Sequence, residues 1–181
     1  MTTPKFTITK CAAAALLVLT GLAGCASEQQ PAEAPHVSIV KPSYVTDISD
    51  PQKLAGLADD VFVGRVVTLT GSTSTEEALP ANQYKVQVVT KIKGSLSGTV
   101  TVNQHGGLNA ADNELVIIED DQLISPGNTY LFATRRDLDH GWHTVVPVFG
   151  DRRIEGAPDQ AAPVVAMKAA AKKPIAFNAR G

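Results

Sequence analysis

Cysteine is almost missing from this 181-residue chain, which carries only Cys11 and Cys25. Two cysteines cannot build the disulfide framework of a small secreted domain, so the fold must rest on its core. Long apolar runs are missing too. The stretch over residues 11–24 is shorter than the roughly 20 residues a membrane span needs, and Thr20 and Gly21 interrupt it. Neither sign of charge dominates: the formal net charge is −2, too mild to steer the protein toward nucleic acid or an anionic surface. There is no G-x-S-x-G elbow, phosphate loop or dinucleotide fingerprint, so nucleophilic catalysis and nucleotide chemistry have no support from motifs.

What is present begins at the N-terminus. Lys5 and Lys10 precede the apolar run, and small residues close it, the layout of a secretory signal. The exit, Leu22-Ala23-Gly24-Cys25, resembles a bacterial lipobox. That resemblance implies cleavage after residue 24 and a diacylglycerol thioether on Cys25, since only a thiol accepts it. A second acyl chain on the new α-amine would make the anchor firm, because one chain holds only marginally. The mature chain would sit on the extracytoplasmic side of the cell membrane, or on the outer membrane where the envelope has two. Loss of Lys5 and Lys10 without any acid takes the net charge from −2 to −4. With Cys11 removed and Cys25 acylated, no disulfide is available.

Four segments follow. Residues 1–24 are the signal, 25–48 a flexible tether, 49–156 the folded domain and 157–181 an Ala/Lys/Pro tail expected to be partly disordered. The tether is small, polar and proline-bearing, unable to bury enough surface to offset its ordering entropy. Within it, residues 36–40 are apolar enough for an edge strand. Asp50 and Pro51 predict a helix start, with Leu54, Leu57 and Ala58 on one face. Residues 61–70 are β-branched and nearly all apolar, which predicts a central strand buried on both faces. A polar loop is expected over 71–77.

Tyr84, Val86, Val88 and Ile92 then alternate with polar residues, and Lys93-Gly94 turns the chain into a partner strand ending at Val102. His105-Gly106-Gly107 is read as a bend, followed by a polar loop to Asn113. Further strands are expected over 115–118, 129–134 and 142–148, with turns at 125–128 and 137–141. Six strands of this kind predict a mainly β fold. The expected form is a small antiparallel barrel or sandwich, with one short N-terminal helix and a C-terminal helix within 164–173.

The run Ala58-Asp59-Asp60-Val61-Phe62-Val63-Gly64-Arg65-Val66, then Lys91-Ile92-Lys93-Gly94, then Pro126-Gly127-Asn128-Thr129-Tyr130-Leu131-Phe132 resembles small exported bacterial proteins. Some of these are similar to the OB-like barrel of tissue inhibitors of metalloproteinases and netrin-type modules. The resemblance implies an OB-like β-barrel over roughly residues 54–135. Protease inhibition does not carry over, because in that family a free N-terminal cysteine amine and carbonyl chelate the zinc, and here Cys25 is acylated on a tether.

Asp137, Asp139, His140 and His143 are the one cluster of ligand-type residues, and imidazole with carboxylate suits zinc or copper. Asp, His and Gly are also what a hairpin tip contains, and strand neighbours alternate faces, so no metal site, cofactor or catalytic residue is expected. Phe62, Tyr84, Tyr130, Phe132 and Trp142 are read as core, not as a base-stacking platform. Arg135-Arg136 and Arg152-Arg153 are read as a solvated basic rim. The function expected is a non-enzymatic binding or structural lipoprotein domain, with a membrane as one partner and an envelope protein or wall polymer as another. The alternative is a metal-binding or metal-assisted protein using the 137–143 loop.

Overall fold

The computed structural model describes residues 33–43, 47–75, 78–119 and 121–177. The expected signal and Cys25 lie outside the described residues. From Ala34 onward the described residues belong to one compact unit. It is mainly β, with nine strands: β1 His36–Val40, β2 Asp60–Thr75, β3 Ala78–Lys93, β4 Thr99–His105, β5 Gly107–Asn109, β6 Glu114–Ile118, β7 Thr129–Asp137, β8 Trp142–Val145 and β9 Asp151–Ile154. Two helices complete it, α1 Pro51–Leu57 and α2 Ala162–Ala170. No helix among the described residues is long and apolar enough to cross a membrane.

The OB-like barrel is formed by five strands paired in the order β2-β3-β4-β8-β7, with β7 paired back onto β2. All of these pairings are antiparallel except β4–β8, a parallel seam of two register pairs, Val102↔His143 and Asn103↔Thr144. So short a seam leaves the barrel partly open there, as OB-type barrels are. β9 extends the sheet beside β7, and β1, β6 and β5 form a small separate sheet.

β2 is buried on both faces only over residues 60–64; of the run expected to be buried throughout, Val67 and Leu69 are 53% and 47% exposed, because the strand leaves the helices behind as it runs into the arm. Phe62 and Val66 point into the barrel with Tyr84, Val86, Val102, Ile124, Tyr130, Phe132 and Val145. Val61 and Val63 point out, against α1 and α2. Phe62 and Phe132 stack at 5.2 Å between ring centroids and Tyr130 tilts onto Phe132 at 5.7 Å, favourable offset contacts that fix the interior. Trp142 departs from the expectation: it is only half-buried and stacks on His140 at 4.5 Å.

α1 starts as its sequence dictates. Asp50 accepts from the Gln52 N–H at 2.7 Å, Pro51 opens the first turn, and Leu54 and Ala55 are buried. At its other end the Lys93 ammonium donates to the Ala55 and Ala58 carbonyls at 2.7 and 2.5 Å, satisfying orphan acceptors of the last turn.

Several boundaries differ from the sequence expectation. The segment expected as a polar loop is strand up to Thr75, and β3 begins at Ala78, so β2 and β3 form a long arm. Residues 72–74 on its β2 side are exposed, and hydroxyls replace apolar contacts with the buried Asn82 and Gln83 of β3: Ser72 Oγ donates to Asn82 Oδ1 at 2.6 Å and Thr70 Oγ1 to the Gln83 carbonyl at 3.0 Å. Register shifts at five places along β2 bend it around the barrel. Residues 36–40, inside the expected tether, form β1 in parallel with β6, and Ile48 is buried in the core. The strand expected to reach Val148 ends at Val145, before Pro147, and β5 and β9 were not expected.

The C-terminal helix expected within 164–173 is present as α2, and residues 157–177 pack on the domain. Val164, Met167 and Ala170 of α2 fall at helical spacing, a narrow stripe that suffices because alanine lets the helix approach closely. Beyond it the Ile175 N–H donates to the Gln52 carbonyl at 3.0 Å, and Gln52 Nε2 to the Lys173 carbonyl at 2.9 Å. Gly56 is what permits this crossing, since a Cβ there would collide with the Ile175 carbonyl.

Candidate functional site

The four residues Asp137, Asp139, His140 and His143 are not brought together. Asp137 closes the hairpin on itself: its Oδ1 accepts from the Asp139 and His140 N–H groups, each at 3.1 Å, and its Oδ2 lies 2.8 Å from His140 Nδ1. That is turn chemistry, an Asx-type contact with a histidine added. The β7–β8 register pairs Asp137 with Trp142 and Arg136 with His143. Side chains alternate along a strand, so His143 leaves on the other face. There it lies 3.3 Å from Asp60 Oδ2. Among the described residues no three His, Cys, Asp or Glu side chains stand close enough to hold a metal ion.

Asp60 belongs to a charge cluster that the sequence did not signal. Its side chain is fully buried, and the Arg136 guanidinium grips it in bidentate fashion, Nε to Oδ2 at 2.8 Å and Nη2 to Oδ1 at 2.9 Å. Burial acts to raise this carboxyl, but Arg136, with help from His143 and the Ser95 N–H, outweighs it and holds the group below its ordinary value. Asp59 accepts from the Arg136 N–H at 2.8 Å. Gly94, at φ +86°, passes so close that a Cβ would land on Asp60 Oδ1. Arg136 is therefore a structural partner of Asp60 although its side chain is 43% exposed; Arg135, Arg152 and Arg153 are exposed as expected.

A second polar cluster joins β4 to β9. Gln104, 2% exposed, donates from Nε2 to Asp151 Oδ2 at 2.8 Å and to the Gln122 carbonyl at 2.9 Å, and accepts from the Ile124 N–H at 2.9 Å. Asp121 Oδ2 accepts from the Val148 N–H at 3.1 Å. Burial, reinforced by the Asp121 charge, pushes Asp151 up to about 8, and burial also raises Asp121. This raised value has a defined sign. The folded protein keeps a proton on Asp151 that the unfolded chain gives up above about pH 4. The stabilisation is complete below that point and lost as pH rises toward 8. Asp151→Asn, whose amide can accept from Gln104 and donate to Asp121 as the protonated carboxyl does, is expected to match the parent in urea midpoint at pH 4 and exceed it at pH 8. A midpoint below the parent's at pH 8 would show an ionised Asp151 stabilising the fold.

Beside the β4–β8 seam lies a cleft of about 310 Å³. Its apolar lining is Ile48, Leu57, Val145, Val146, Pro147 and, from the docked tail, Phe177. Its polar lining is His105, Ser43, Arg135 and Thr144. His105, read from sequence as a bend residue, closes β4 and is half-buried; its Nδ1 has no hydrogen-bond partner, and burial holds the imidazole below its ordinary value. Arg135 and Thr144 are cross-strand partners. The cleft escaped sequence reading because its walls come from segments assigned to tether, helix, strand and tail. The Ser38-Ile39-Val40-Lys41 stretch has the S-x-x-K spacing of some serine nucleophiles. It lies on β1 and the residue after it, in extended chain, with Lys41 exposed.

The chain matches no protein-family model and no curated protein.

Proposed function

We propose that this chain is a lipid-anchored extracytoplasmic protein whose OB-like barrel is a non-enzymatic binding module, taking a small, largely apolar ligand in the cleft beside the β4–β8 seam. The cleft itself carries this reading. Its volume of about 310 Å³ and its apolar walls with a few polar groups are the make-up of small-molecule sites. The lipobox-like Leu22-Ala23-Gly24-Cys25 supports the anchor, and a wall polymer or envelope protein bearing such a group is the natural source of the ligand. The metal-dependent alternative loses its footing because His143 faces Asp60 and not His140.

Two measurements test the two halves. Cys25→Ser is expected to abolish metabolic labelling by a fatty acid and to release the protein from membranes; continued labelling refutes the anchor. The neutral dye N-phenyl-1-naphthylamine is expected to fluoresce on entering the cleft. Thr144→Trp, which fills the cavity, is expected to abolish that signal while the urea midpoint stays near the parent's. An unchanged signal in that variant refutes the binding site.

A further inference from the structure

We infer that the cleft selects an amphipathic carboxylate, with its hydrocarbon body against Ile48, Leu57, Pro147 and Phe177 and its head on the Arg135 guanidinium. This names the ligand class for the site proposed above and rests on that reading.

The sign of the site is the first reason. None of its lining residues is Asp or Glu, and Arg135 is the one fixed charge among them. Arg136, next in sequence, is taken up by Asp60, but Arg135 has no carboxylate partner among the described residues. A ligand filling the cleft covers part of that guanidinium. If the ligand is neutral, a charge is desolvated without compensation, which costs binding energy. A carboxylate removes the penalty, and its planar pair of oxygens fits the guanidinium fork.

The neighbouring hydroxyl is the second reason. Thr144 lies opposite Arg135 in the register, and its Oγ1 accepts from Asn103 Nδ2 at 3.4 Å. An oxygen used as an acceptor still has its own proton to give. Arg135 and Thr144 thus present donors on one side of an apolar cavity, a set that suits an acceptor-only head group. One guanidinium balances the single charge of a carboxylate but not the second charge of a phosphate monoester.

The test uses the full chain carrying Cys25→Ser, so that no acyl chain of its own competes. Octanoate, 1-octanol and octyl phosphate are each titrated against bound N-phenyl-1-naphthylamine at pH 7. Octanoate is expected to displace the dye at concentrations at least about tenfold lower than octanol, consistent with one charge-assisted contact. Arg135→Gln is expected to close that gap to within about twofold, and Arg135→Lys to restore part of it. Equal displacement by octanoate and octanol in the parent overturns the inference, as does a gap that survives Arg135→Gln. Octyl phosphate displacing more tightly than octanoate also overturns the carboxylate assignment. In all three cases dye binding abolished by Thr144→Trp leaves the binding module standing. No dye binding at all removes both.

Discussion

Arg136→Met is expected to lower the urea midpoint clearly at pH 7, because removing one partner of an ion pair leaves the buried one uncompensated. Asp60 is inaccessible to solvent, and Arg136 supplies two of its short contacts. Methionine fills similar space but donates nothing, so a carboxylate is left in the protein with the Ser95 N–H and a histidine at 3.3 Å. The Arg136 side chain is 43% exposed, so water approaching the gap moderates the loss. The pH dependence separates this cause from simple loss of packing. In the parent, the depressed Asp60 value gives stability that is present above the unfolded value of about 4 and lost as pH falls through the folded one. In the variant the unpaired carboxyl is raised by burial and takes up a proton well before the parent's does. The difference between the two proteins should therefore shrink as pH falls from 7 to 4. His143 adds a second signature: the positive charge of Arg136 is one of the influences that lower it, so removing that charge raises it. A gap that stays constant across this range would assign the loss to packing.

The barrel was legible from sequence because its strands carry their instructions locally. The apolar run of β2, the alternation from Tyr84 to Val88 and the Pro126-Gly127 turn each specify a local structure that tertiary packing then uses. What was not legible depends on partners far along the chain. Residues 71–75 look like a loop because they are polar, yet they find β3 residues whose side chains answer them. The tail helix was expected, but its docking was not, because Val164, Met167 and Ala170 are too few to hold a lone helix; they suffice only against the outer face of β2 and β7.

The candidate site was less legible still. The ligand-type residues of the 137–143 loop are close in sequence, but the strand period sends His143 to the opposite face. The charge pair it joins links residues 76 positions apart. Asp59-Asp60 reads as a helix stop, and nothing in the sequence marks one of the two as buried. Asp151 begins a strand that no periodicity announced. The cleft has no motif because its property, an unpaired arginine over apolar walls, belongs to the surface and not to any segment.

Val86→Asp is expected to remove most of the folded population, whereas Lys85→Asp changes stability by less than about 1 kcal/mol. Val86 is fully buried in the barrel, in register with Val66 on one side and Val100 on the other. It sits in the cluster that contains Phe62 and Phe132. The polar residues near the arm are engaged elsewhere: Asn82 with Ser72, and Gln83 with Asn103. A carboxyl at position 86 would have no donor placed for it. Kept neutral by proton uptake, it still loses its hydrogen bonds to water, at several kcal/mol, and the valine's packing is lost as well. Domains of this kind are stable by about 5–15 kcal/mol in total, so one such residue consumes much of it. Lys85 is exposed, between Thr68 and Thr101 on the outer face, and exchanging its charge disturbs neither core cluster. Urea titration of both variants reads the contrast directly. Val86→Asp should be largely unfolded without denaturant, and Lys85→Asp should keep the parent midpoint. Equal midpoints would place Val86 outside the barrel and break the β2–β3–β4 register on which the architecture depends.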